Sequence, residues 1–405
     1  MNERLNLMSP ELLENPYPAY AELRRNAPVC QVDPGGSWAV SRYDDAVAVL
    51  RNPEVFSSAA FQSSLKPAWL GHNPFGDSML AMDPPAHQRL RSLVNLAFGP
   101  AAMTRLEARV RALAEEIVAR LPLGHPVDWV EAVSTQLPPR VIGELLGLDT
   151  SLHARFHRWS SDMASISGIT PDQTARMEEI RATVREMEEY MREVLARRRR
   201  EPEGDMVTQL LAARVDGESL TDAELVSFMF LLLAAGTETT GHLLAHTALQ
   251  LASRPEVLDR LRADPALIPK LVEEVLRYEP PARALYRFVT VDTEIAGVRV
   301  PRGSRVLLLL GSAARDEALF PDADRFDIDR SSSASSLPFG HGAHFCLGAP
   351  LARLEARLTL SALLPRIRRL SLAGPVTWRR SLSMRGPLSV PLVAHPAGAA
   401  AGRKS

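Results

Sequence analysis

Residues 337–348 read Leu337-Pro338-Phe339-Gly340-His341-Gly342-Ala343-His344-Phe345-Cys346-Leu347-Gly348, a glycine-punctuated loop that delivers one cysteine to the start of a predicted helix. That helix is predicted from Leu351, Leu354 and Leu358 at helical spacing, with Arg353 and Arg357 sharing another face. The first backbone N–H groups of a helix have no partners within it, so they point back at the sulfur, and the helix dipole favours a thiolate there. Gly340, Gly342 and Gly348 remove side chains where the backbone must turn tightly or lie against a flat ligand. Pro350 suits a first turn because it gives up no hydrogen bond there. Taken alone, Cys346 is open to two readings, a small buried hydrophobe or a reactive ligand.

Upstream, Thr221-Asp222-Ala223-Glu224 has the form of a capping box, so a helix is predicted from there to about Arg254, where Pro255 stops it. It is apolar on all sides from Leu225 to Ala235 and must cross the interior. In its middle stands Ala235-Gly236-Thr237-Glu238-Thr239-Thr240. Such residues are costly in a buried helix, the glycine alone by roughly 1 kcal/mol against alanine. Either the hydroxyls back-bond to the preceding turn and mark an irregularity, or a local widening serves chemistry that needs a hydroxyl and an acid in a dry site.

Glu274 and Arg277 form an i,i+3 pair on a helix followed by Pro280-Pro281, and Phe320 to Phe326 contains Arg325. Strands are predicted at Tyr286–Val291, Glu294–Val300 and Arg305–Leu310, with turns at Gly297 and Pro301-Arg302-Gly303. Nearer the N-terminus, strand-like segments at 29–32 and 38–40 flank Pro34-Gly35-Gly36. Helices are predicted over 44–50, 138–146, 152–167 and 172–200, and Leu106, Val110, Leu113, Ile117 and Leu121 form an amphipathic stripe. The stretch 57–85 is irregular yet holds Phe61, Trp69 and Leu80, and apolar side chains on a long loop line or cover something. His87 and Arg91 follow on one face of a helix.

The 405 residues carry a net charge of −1 with both signs interspersed, which does not indicate a nucleic-acid surface. Arg197 to Arg200 end a charged helix and read as a solvated C-terminus. Two cysteines, Cys30 and Cys346, give no disulfide framework and fit a reducing, cytoplasmic compartment. Residues 1–10 read as an N-terminal extension without a secretion signal. No run reaches the roughly 18 apolar residues of a membrane anchor. No linker interrupts the chain, so one domain is expected over 11–395, with a disordered tail at 396–405.

Phe339 to Gly348 fills every fixed position of Phe-Gly-x-Gly-x-His-x-Cys-x-Gly, and so resembles the haem-binding loop of the cytochromes P450. The likeness runs along the chain in order: His87 and Arg91, Glu238 and Thr239, Glu274 and Arg277, Arg287, Cys346. It implies a mainly α fold with a small β region, the cytochrome P450 fold in a single domain. It implies haem b with Cys346 as the axial metal ligand, a thiolate that pushes electron density toward iron. Phe339 and Gly348 would then line the haem, and His87, Arg91, Arg287 and His344 would hold its propionates. Glu238 and Thr239 would be the catalytic acid and alcohol, and Glu274, Arg277 and Arg325 a structural lock. The stretch 57–85 would roof the substrate pocket and 166–171 would be a lid, while Phe61, Trp69, Leu232, Ala235, Leu285 and Met384 would touch substrate. The reaction implied is monooxygenation, in which O2 and two electrons hydroxylate or epoxidise an apolar small molecule. Electrons would come from a separate ferredoxin and ferredoxin reductase, with Arg353 and Arg357 in the docking face. Two other readings stay open, a peroxygenase using H2O2 and a non-catalytic haem protein that activates a partner.

Overall fold

The computed structural model describes residues 4–330 and 337–397. Its axis is the helix Asp222–Ser253, started by the predicted capping box: Thr221 Oγ1 accepts from the Glu224 N–H at 3.3 Å, and Glu224 accepts from the Thr221 N–H at 2.8 Å. At 1.5 Å per residue this central helix is a rod of roughly 50 Å. It packs against helices Leu137–Leu146, His153–Ser165, Thr174–Arg200, Ile268–Tyr278 and Ala349–Leu363, which join it in one apolar core. By length and composition it is also the one helix among the described residues able to cross a membrane, but 78% of its most apolar window is buried inside the protein. The helix is continuous through Gly236-Thr237-Glu238-Thr239.

Helix Thr174–Arg200 buries Met177, Ile180, Val184, Met187, Met191 and Val194. Its four terminal arginines are not uniformly solvated. Arg198 is buried, pairs with Glu203 at 2.8 Å and with Asp205, and donates to the Gly147 carbonyl at 2.8 Å; Arg199 pairs with Asp222.

The main sheet has five strands in the order Val29–Val32, Ser37–Val40, Arg305–Leu308, Leu285–Val289, Phe56–Ser57. Ser37–Val40 runs parallel to Arg305–Leu308, with Trp38 opposite Val306, and the other pairs are antiparallel. Alternation along Leu285–Val289 turns Leu285 and Arg287 to one side, where both meet the same cavity. The predicted strands thus form but are shorter, and 294–300 is a hairpin turning at Ala296 and Gly297, both at positive φ.

A second, C-terminal β region was not predicted. Pro391–Pro396 pairs with Pro126–Asp128 and Ile367–Leu372, and Thr377–Trp378 pairs with Pro387–Ser389. Pro396 therefore belongs to a strand, and the Ala397 N–H donates to the Arg366 carbonyl at 2.8 Å, so the structured chain runs further than the expected start of the tail. The rest of that tail, 398–405, lies outside the described residues. The other end is packed too: Leu7 is buried and its N–H donates to the Asp33 carbonyl at 2.8 Å. Arg385 joins the two ends, donating to the carbonyls of Leu13 and Glu14 at 3.0 Å each and pairing with Glu279 at 2.8 Å.

Candidate functional site

The cysteine loop is held by its own backbone. The Cys346 N–H donates to the Phe339 carbonyl at 2.9 Å, and the Gly340 N–H to that of Leu337 at 2.7 Å. Gly340 and Gly342 have φ of +79° and +67°, and a Cβ on Gly342 would stand 2.6 Å from the Leu50 carbonyl oxygen. Helix Ala349–Leu363 begins immediately afterwards with Pro350 in its first turn, as predicted. Cys346 is exposed in area although protein surrounds it, because the surface it shows faces an internal cavity. Burial raises its pKa; the Gly348 and Ala349 N–H groups, Arg91 and Arg353 act the other way without winning. Burial therefore disfavours the thiolate, while the N–H groups at the helix start favour it as expected, the loss of water being the larger effect.

The cavity has a volume of about 280 Å3. The central helix supplies Ala235, Gly236, Thr239 and Leu232, the strand supplies Leu285 and Arg287, and the loop supplies Phe339, His344, Cys346 and Gly348. His87 and Arg91 also face it. Four of these side chains, His87, Arg91, Arg287 and His344, are basic, and no carboxylate ion-pairs with any of them among the described residues. Among the described residues, both ring nitrogens of His87 and Nε2 of His344 are buried without hydrogen-bond partners, and the two rings lie 4.0 Å apart. Burial, then His87 and Arg287, pulls the His344 pKa down to about 3, and burial and Arg91 lower that of His87. Burial alone pushes Arg287 down to about 10 and lowers Arg91. The carboxylate nearest Arg287, Asp83, is taken up by the Ser57 hydroxyl and by the Ser58 N–H at 2.7 Å.

A buried cluster of this kind is unfavourable until an anion joins it. Haem b fits the donor set: two carboxylates for the four basic groups, a flat apolar face for the glycine-backed loop, and iron for the single thiol.

Glu238 and Thr239 do not face the same way. Thr239 lines the cavity, and its hydroxyl donates to the Ala235 carbonyl at 2.6 Å, the back-bonding that was one of the two readings. Glu238, one residue earlier and so about 100° around the helix, pairs with Arg379 and lies 3.7 Å from His242 Nε2. Burial raises its pKa against the pull of Arg379.

Three predicted pocket residues are elsewhere. Phe61 and Trp69 pack on the main apolar core, and the roof stretch presents Met79 and Leu80 to the cavity instead. The Trp69 carbonyl accepts from Arg181 Nε at 2.8 Å, which ties that stretch to helix Thr174–Arg200. Met384 sits behind the lining, bridged to Ala282.

Glu274 and Arg277 form the expected lock. Arg277 is 0% exposed, meets Glu274 through two bonds of 2.8 Å, and donates to the carbonyls of Ala314, Ala323 and Arg325. Arg325 contributes only that carbonyl; its side chain is exposed and pairs with Asp327. Arg353 is not free for docking, because it binds Glu273 at 2.9 Å and lies 4.5 Å over the Phe339 ring, whereas Arg357 is exposed.

Sequence reasoning missed Arg379, which no local pattern links to Glu238. It also missed Glu355, a wholly enclosed acid on the cavity wall whose pKa burial raises well above the ordinary value. An acid standing between Leu351 and Leu358 on an apolar stripe was the available signal.

A cytochrome P450 family profile matches residues 150–372. Mycinamicin IV hydroxylase/epoxidase of Micromonospora griseorubida is 39% identical over 92% of this chain and 94% of that protein. Vitamin D(3) 25-hydroxylase of Pseudonocardia autotrophica is 36% identical over 98% of both. The solved structure of cytochrome P450 CYP109Q5 from Chondromyces apiculatus superposes with a TM-score of 0.88 at 41% identity, covering 98% of this chain and 100% of that one. With identity sustained along nearly its whole length and a fold shared with a solved relative, the chain belongs to the cytochrome P450 family, and is a haem-dependent monooxygenase of small molecules.

Proposed function

We propose that this cytoplasmic protein inserts one atom of O2 into an uncharged, apolar small molecule by hydroxylation or epoxidation, with electrons from a separate ferredoxin and its reductase. Cys346 holds the iron of haem b, His87, Arg91, Arg287 and His344 hold its propionates, and Phe339 and Gly348 lie against the ring. Bound there, the haem supplies the electron storage and O2 chemistry that no side chain has. The observation that carries this reading is the unneutralised basic cluster in the same apolar cavity as Cys346.

The protein's own share is positioning and exclusion. Leu231, Leu232, Phe98, Phe228 and Leu285 make an apolar wall that fits a substrate without charge and keeps water away from it. The names Mycinamicin IV hydroxylase/epoxidase and Vitamin D(3) 25-hydroxylase among the relatives support hydroxylation or epoxidation of a small molecule. Thr239 is the hydroxyl on that wall, able to donate once it releases the Ala235 carbonyl. Glu238, buried with a raised pKa, is the acid that passes it protons.

The test is spectroscopic and then chemical. The reduced protein with carbon monoxide should show the long-wavelength absorption of thiolate ligation, and Cys346→Ala should abolish it. Turnover of an apolar substrate should require ferredoxin and reductase; turnover with H2O2 alone at the same rate would replace this reading with a peroxygenase.

A further inference from the structure

The central helix separates two cavities. Behind the one that holds Cys346 lies a second of about 240 Å3, nearly as large, bounded by the central helix, the π-helical turn Val130–Ser134, helix His153–Ser165 and the C-terminal hairpin. Among the described residues, four polar atoms around it have no hydrogen-bond partner: Ser134 Oγ, Thr237 Oγ1, His242 Nε2 and Arg379 Nε. Ser134, Thr237 and His242 are 2%, 4% and 7% exposed, so these are buried groups lining a space rather than surface groups. Close backbone approach sets the walls: a Cβ on Gly241 would stand 2.7 Å from the Ser134 carbonyl oxygen, and one on Gly386 would overlap the His242 ring. His157 and Ser161 line the same space and are exposed, so it opens to solvent.

The chamber has no charge left over for an ion. Glu238 lines it and pairs with Arg379; burial, His246 and Arg379 hold His242 neutral, with a pKa of about 3, and burial lowers the pKa of His157. An entering carboxylate would meet Glu238 and an entering ammonium would meet Arg379, so neither gains what it loses in leaving water. A hydroxyl both donates and accepts, and so matches Ser134, Thr237 and either tautomer of His242. Water meets the same groups, but the space has room for several waters of about 30 Å3 each, and part of its wall is apolar. Val130, Pro387 and Leu388 form that part, Leu388 being 54% exposed. A compact carbon frame bearing several hydroxyls covers the apolar part and reproduces the hydrogen bonds of the waters it displaces.

We propose that this chamber is a second ligand site, for an uncharged cyclic polyol or monosaccharide held by Ser134, Thr237, His242 and Arg379. The central helix stands between it and Cys346: Ala235, Thr239 and Leu243 line the one cavity, Thr237, Gly241 and His242 the other. An occupant of the chamber therefore binds without entering the space that takes haem and substrate, and the site is complete whether or not the reaction proposed above is correct.

The experiment is a saturation-transfer NMR titration of the full-length, haem-loaded protein with myo-inositol and with methyl glucopyranoside. At least one of the two should bind saturably, and neither acetate nor methylammonium should displace it. Thr237→Val should weaken that binding roughly two- to tenfold, the worth of one net hydrogen bond. Ser161→Trp, which fills the solvent side, should weaken it by about tenfold or more. Leu285→Phe, which fills part of the Cys346 cavity instead, should leave it unchanged within about twofold. Absence of saturable binding by both probes would mean that the chamber holds water only, and overturns the proposal. So does binding that Ser161→Trp and Thr237→Val leave unmoved, that Leu285→Phe removes, or that acetate or methylammonium displaces.

Discussion

Arg277 and Arg287 are both nearly enclosed, 0% and 8% exposed, yet they stand in opposite states. Arg277 has a bidentate carboxylate and three carbonyls around it, and the Asp327 N–H completes Glu274 at 2.7 Å. Among the described residues Arg287 hydrogen-bonds only the carbonyl of its own neighbour Tyr286, at 2.7 Å, and shares its cavity with His87, Arg91 and His344. Buried charge that is fully partnered fixes the fold, whereas buried charge left open marks where something else binds.

Four measurements break or sharpen that contrast. Arg277→Ala strands Glu274 and should cost about 3–5 kcal/mol in denaturant unfolding; a loss under about 1 kcal/mol would mean the network is not a lock. Next in size is a pH effect. His344 and His242 are held near 3 in the folded chain against an ordinary 6.5, so the unfolded chain binds protons that the folded one refuses. Stability should be level above pH 6.5 and fall as pH drops from there toward about 3. Haem loading should flatten the part owed to His344 and leave that of His242, which unfolding curves of His344→Gln and His242→Gln would separate.

Arg287→Met should leave the ligand-free protein as stable as before or slightly more so, while weakening haem retention by about 1.5–3 kcal/mol, the worth of a hydrogen bond to a charged group. Haem transfer to an acceptor protein reads the second quantity. If the variant instead destabilises the ligand-free chain as much as Arg277→Ala does, the two arginines are not different in kind. Smallest of all, Arg325→Ala should change stability by no more than about 0.5 kcal/mol, since only the backbone carbonyl of that residue serves the lock.

What was legible in the sequence follows the range of the interactions. The capping box, the cysteine loop and the i,i+3 pair are local, and helix ends fell within a few residues of their predicted places. Strand Pro391–Pro396 was not legible, because its partners Pro126–Asp128 and Ile367–Leu372 are distant in the chain and its own pattern is broken by prolines. Arg379 was hidden for the same reason: the hairpin that brings it to Glu238 exists only once the fold is complete. Phe61 and Trp69 were misplaced because residue type says that a loop side chain will be covered, but not by which neighbour. Glu238 and Thr239 were taken as one unit, although consecutive helical positions face different surroundings.

The clasp of Arg385 on the carbonyls of Leu13 and Glu14 bears on how the protein is made. During synthesis the first helices leave the ribosome long before Ser37–Val40 can find its parallel mate at 305–308, and longer still before residue 385 arrives. Native closure of the amino end therefore waits for almost the whole polypeptide. A nascent chain stalled before residue 385 should keep that end open to protease, and release of the full chain should close it.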